Sequence, residues 1–72
     1  MANNIGEIFK TNLKFYRHKQ GYTQEQLSEI CDISTDYLSQ MERGKRTPSF
    51  KKLELLAKAL KIEVYQLFML LS

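Results

Sequence analysis

Seven lysines and arginines, Arg43, Lys45, Arg46, Lys51, Lys52, Lys58 and Lys61, stand between residues 43 and 61 against one acid, Glu54. Cations at this density attract phosphate and other polyanions. The preceding stretch, Thr23 to Glu42, is the reverse: Glu25, Glu29, Asp32, Asp36 and Glu42, with no Lys or Arg. Affinity for a polyanion must therefore come from the flank, with Glu25 and Glu29 facing solvent or a partner. Nothing here resembles catalytic machinery: no nucleophile-base pairing, glycine-rich phosphate loop or carboxylate dyad stands out. One cysteine, Cys31, and one histidine, His18, are too few soft ligands for a structural zinc site. No enzyme activity, metal or cofactor is expected. Cys31 is expected as a small buried hydrophobe and His18 as a surface residue.

Seventy-two residues with 43% hydrophobic and 26% charged side chains describe one small domain spanning 1–72, carrying a formal charge of +3. The N-terminus lacks a basic stretch followed by an apolar one, and the longest apolar run is only Leu67 to Leu71. A cytoplasmic protein with no membrane segment is the expectation. Because the domain takes up all 72 residues, no ligand-sensing domain and no small-molecule ligand are expected.

The elements that position the polar residues are helical, since apolar residues recur at spacings of three and four. Ile5, Phe9, Leu13 and Tyr16 form one stripe, capped by Asn4 and closed by Gly21. Thr23 and Gln26 make a capping box, with Tyr22 and Leu27 as its hydrophobic staple. Leu27 and Cys31 face inward on this short helix. Asp32 then turns the chain, and Ser34 caps a further helix with Ile33 and Leu38 as staple, Leu38 and Met41 inward and Gly44 as its stop. Thr47 or Ser49 caps a fourth helix, where Leu53, Leu56, Ala57 and Leu60 repeat at helical spacing. A fifth helix starts near Glu63 with Leu67 and Phe68 inward, joined by Ile62.

Thr23 to Glu42 is thus a capped helix, a tight turn and a second capped helix, the arrangement of a helix-turn-helix. Such a pair can lay its first helix across a phosphate backbone and place its second in the major groove. The stretch Gly21-Tyr22-Thr23-Gln24-Glu25-Gln26-Leu27, with Ile33-Ser34 and Tyr37 to Ser49, closely resembles the Cro and lambda-repressor-like (XRE-type) helix-turn-helix family. The resemblance runs from about Ile8 to Phe68. It implies an all-α, compact five-helix DNA-binding domain. It also implies phosphate contacts by Gln24, Tyr37, Arg43, Lys45 and Arg46, and base contacts by Ser34, Thr35, Asp36, Ser39 and Gln40 on the recognition helix. Among the latter, Gln40 suits adenine, Thr35 a thymine methyl and Asp36 the cytosine amino group. An ion pair between Arg17 and Glu42 is implied as well. The chain departs from the family pattern in three places: Asp32 and Lys61 stand where glycines are usual, and Glu63 where a small polar cap is usual.

The function these observations imply is a sequence-specific regulator of transcription, a repressor or autoregulator that occupies double-stranded operator DNA. The alternative is a protein-interaction module or antitoxin on the same scaffold, docking a basic partner through its acidic helices. The basic block Arg43 to Arg46 separates the two, since a docking module has no need of it. Leu55, Val64, Tyr65, Met69 and Leu70 fall outside the core stripes, which predicts a twofold homodimer formed through them.

Overall fold

A computed structural model describes residues 4–71. The expected domain span also includes residues 1–3 and 72, which lie outside the described residues. Four α-helices follow one another: α1 (Ile5–Lys19), α2 (Gln24–Ile30), α3 (Thr35–Glu42) and α4 (Phe50–Leu60). A 3₁₀ helix, Val64–Phe68, follows α4. No strand occurs among the described residues.

Each α-helix starts on a side-chain cap. Asn4, Thr23, Ser34 and Ser49 accept from the backbone N–H three residues on, which settles the fourth cap in favour of Ser49. The helices also share one ending. Tyr22, Ile33, Lys45 and Ile62 each donate a backbone N–H to the carbonyl five residues earlier, across a left-handed residue. Those left-handed positions are Gly21, Asp32, Gly44 and Lys61, at φ between 56° and 79°. Asp32 and Lys61 therefore take up the conformation that glycine would supply without strain.

The core consists of Phe9, Leu13, Tyr16, Leu27, Cys31, Leu38, Met41, Leu53, Leu56, Ala57, Leu60 and Leu67, all buried. Its burial is the main term holding so small a fold together. Ile5 does not join it. It is exposed, at the rim of a small apolar cleft lined also by Phe9, Pro48, Leu53 and Phe68, because the α1 stripe meets the core only from Phe9 onward.

The expectation of a fifth α-helix is corrected by the five-residue 3₁₀ turn, after which Met69 is already extended. Asn12, a buried residue of α1, gives the reason. Its amide nitrogen lies 3.1, 3.0 and 2.6 Å from the carbonyls of Gln66, Leu67 and Met69. Two N–H groups shared among these carbonyls satisfy the free acceptors of this last turn and pin it to α1. Leu67 is thereby buried, and Phe68 stacks on Phe9 with ring centroids 5.5 Å apart.

Candidate nucleic-acid interface

Arg17 and Glu42 organise the base of the interface. Arg17 Nε donates to Glu42 Oε2 at 2.6 Å and its Nη2 to Oε1 at 3.0 Å, a bidentate pair between α1 and α3. Its third nitrogen, Nη1, donates to the Tyr22 carbonyl at 2.9 Å, so one guanidinium also ties down the loop that leads into α2. Gln24, the first residue of α2, donates through Nε2 to Glu42 Oε1 at 3.1 Å. The glutamine at the start of α2 and the basic loop that begins at Arg43 are thus brought to the same end of α3.

Arg43, Lys45 and Arg46 are exposed on that loop. Arg43 is the C-cap of α3 and its Nε lies 3.4 Å from the Ser39 carbonyl. The Arg46 guanidinium sits 5.1 Å from the centre of the Tyr37 ring, and the Tyr37 hydroxyl donates to the Thr47 carbonyl at 3.4 Å. Tyr37 therefore braces the loop and holds one of its cations.

The five residues expected to meet bases all lie in the first turns of α3 or on its cap, in different states of engagement. Ser34 accepts the Tyr37 N–H at 3.0 Å as the helix cap. Ser28 Oγ donates to the Glu25 carbonyl at 2.9 Å, so its 3.0 Å contact with Thr35 must use the Thr35 proton. Thr35 is half-buried by this bond to α2, which leaves its methyl as the group for a thymine. Ser39 and Gln40 are half-buried and Asp36 is exposed; Gln40 Nε2 donates to Asp36 Oδ2 at 2.7 Å.

Two features of the site were not singled out in the sequence. Ser28 looks like one more helix serine, yet it is buried and holds α2 against α3 through Thr35. Lys10, Thr11, Lys14, Phe15 and His18 of α1 line a shallow depression with Glu42, and their spacings of three and four are the signal that would have grouped them. Lys10 is partly neutralised there by Glu7 at 3.1 Å.

The residues expected at a dimer contact divide. Leu55 is half-buried against the core and Val64 is half-buried, whereas Tyr65, Met69 and Leu70 are exposed. Cys31 is buried at the α2 C-cap, its Sγ 3.7 Å from the Leu55 carbonyl oxygen. Burial pushes its thiol above the ordinary value, and nearby Lys52 opposes that rise.

The helix-turn-helix family pattern matches residues 13–67, which include α2, α3 and the basic loop. The chain belongs to the XRE-type helix-turn-helix family. Control protein C.SmaI of Serratia marcescens is 38% identical over 64 residues, covering 89% of this chain and 76% of its own. Among solved structures, the restriction-modification controller protein C.AhdI of Aeromonas hydrophila superposes with a TM-score of 0.81 at 34% identity, over 85% of this chain and 92% of that one. SinR of Bacillus subtilis, the master regulator for biofilm formation, solved in complex with DNA, gives 0.80 at 31% identity over 85% of this chain and 98% of its own. No helix among the described residues of this family member is long and apolar enough to cross a membrane.

Proposed function

We propose that this protein is a sequence-specific, double-stranded DNA-binding regulator of transcription that acts by occupying promoter DNA, as a repressor or autoregulator. The observation that carries the reading is the joint held by Glu42. It ties Gln24 of α2 to the last residue of α3, which Arg43 follows in the chain, while farther up α3 Asp36 is exposed and Gln40, bonded to it, is half-buried. Phosphate-anchoring groups would then fix the register of α3 while its outer face meets base edges. The likeness to C.SmaI, C.AhdI and DNA-bound SinR supports the same reading. The working unit is the whole 1–72 domain, as a homodimer on an approximately palindromic operator.

Titrating labelled duplex DNA across a range of salt tests it. Each phosphate neutralised contributes a slope of roughly −0.9 to log K against log salt, so binding should weaken steeply as salt rises. Arg43→Ala and Lys45→Ala should weaken binding on all sequences and flatten that slope, whereas Thr35→Ala and Gln40→Ala should change which sequences are preferred. An affinity indifferent to salt, or no duplex binding at low salt, would sink the reading.

A further inference from the structure

The 2.7 Å bond from Gln40 Nε2 to Asp36 Oδ2 decides which way the Gln40 amide points. A primary amide carries two N–H donors on one end and a carbonyl acceptor on the other, whereas an ionised carboxylate only accepts. Turning the amide over would set Oε1 against Oδ2, acceptor against acceptor. With one N–H held by Asp36, Gln40 offers a second N–H and Oε1 side by side. That is the complement of adenine in the major groove, which shows the N7 acceptor next to the N6 amino donor. Guanine shows two acceptors, N7 and O6, which an amide can meet only by donating both of its N–H groups, and Asp36 already holds one of them.

We propose that Asp36 is a positioning residue that locks Gln40 to read adenine and reject guanine, a specificity device built into the exposed face of α3. The proposal rests on the DNA-binding reading above and names what that surface selects. Two further observations support it. Thr23 to Glu42 contains no lysine or arginine, so the commonest readers of guanine are absent from the helix-turn-helix itself. The neighbouring polar side chains are already engaged: Ser34 caps α3, and Thr35 spends its proton on Ser28. Asp36 also brings negative charge toward the phosphates, which lowers affinity for any duplex. It therefore favours discrimination at the expense of general binding.

Selection from random duplex DNA with wild type, Asp36→Ala, Asp36→Asn and Gln40→Ala tests this. The wild type should enrich an adenine at the one position that Gln40→Ala leaves unconstrained. Asp36→Ala should admit guanine there, cutting the adenine preference by roughly tenfold, while its affinity for random duplex rises and its thermal midpoint stays within a few degrees. Asp36→Asn should also admit guanine, since its own amide can turn to meet either end of Gln40. A purely structural Asp36 would instead shift the thermal midpoint and leave base preference alone. Unchanged adenine selection by both Asp36 variants, or a wild-type guanine at the Gln40 position, overturns the inference and leaves the DNA-binding reading standing. A wild-type protein that enriches no sequence overturns both.

Discussion

Arg17 of α1 and Glu42 of α3 meet through two parallel hydrogen bonds of 2.6 and 3.0 Å, with both side chains almost wholly out of water. Two ions brought so far inside a fold this small are costly to desolvate, and the cost is met only while every donor has its acceptor. Here Glu42 receives three donors, two from Arg17 and one from Gln24, and Arg17 spends its remaining nitrogen on the Tyr22 carbonyl. Loss of either partner strands the other. Arg17→Ala and Glu42→Ala should each lower unfolding stability by about 3–5 kcal/mol in urea, and Arg17→Met with Glu42→Leu together should cost much less than the sum. Additive costs would show that the pair does not act as a unit.

Lys61 occupies the left-handed position that closes α4, with φ 62° and ψ 40°. A side chain in that conformation costs about 1–2 kcal/mol, of which a glycine would lose part to its greater freedom in the unfolded chain. Lys61→Gly should therefore stabilise the protein by about 0.5–1 kcal/mol, and Asp32→Gly, at φ 56°, by a similar amount. Gly21→Ala should do the opposite. It has open space around an added Cβ, so any loss comes from its φ of 79° rather than from a clash. Thermal midpoints of the three variants measure this, and a destabilising Lys61→Gly contradicts it.

These closures also show how far the fold was legible in the sequence. Caps and stripes have local chemical signatures, so α1 to α4 and their order could be read from Asn4, Thr23, Ser34 and the repeats of leucine. The endings at Gly21 and Gly44 were equally plain. Asp32 and Lys61 end their helices in the same geometry without glycine; Asp visits the left-handed region more readily than most residues, which leaves Lys61 as the ending its residue type does not signal. The segment after Glu63 departs from its sequence pattern. Its hydrophobic pattern fits a helix, but Asn12, 54 to 57 residues away in the chain, takes its carbonyls. Ile5 continues an apolar stripe on paper and finds no core opposite it. At the interface, residue types gave the candidates and the i, i+4 spacing of Asp36 and Gln40 allows their bond, while the ties of Gln24 to Glu42 and Thr35 to Ser28 join different helices and depend on distances that no spacing rule contains.

Cys31 predicts a specific pH dependence. Its folded thiol is held above the ordinary value of 9.0 by burial, so the unfolded thiol ionises first. The native state then binds more protons than the unfolded state, and stability falls as pH rises from the unfolded value toward the folded one. Below the unfolded value the contribution is fully present. Wild type should lose stability more steeply than Cys31→Ala above about pH 9, by at most about 1.4 kcal/mol per pH unit, with a constant gap between them at neutral pH. Parallel curves across that window would show that ionisation of Cys31 is not linked to folding. Alkylation of the native thiol should be slow on the same grounds, since the reactive thiolate is disfavoured and buried.

Tyr65, Met69 and Leu70, within six positions of one another in the sequence, leave their apolar side chains in solvent, 63%, 52% and 61% exposed. The segment packs on α1 through Asn12, Leu67 and Phe68, and the side chains of Tyr65, Met69 and Leu70 stay outside that contact. Leu55 and Val64 are half-buried and offer less free surface to the expected contact than Tyr65, Met69 and Leu70. Apolar residues grouped on so small a surface favour a second copy, and a twofold axis there would have to set two α3 helices about 34 Å apart to meet successive major grooves. Met69→Glu places a charge in the middle of the group and should abolish dimerisation while leaving the monomer folded, since the side chain is outside the core. Sedimentation equilibrium on both proteins decides the matter, at concentrations on the order of tens of micromolar, where a micromolar dimer is well populated. A monomeric wild type at those concentrations, or a Met69→Glu protein that dimerises equally well, would place the contact elsewhere or remove it. If the variant is monomeric, its operator affinity should fall far more than its affinity for a half-site, because only the dimer gains from engaging the second half.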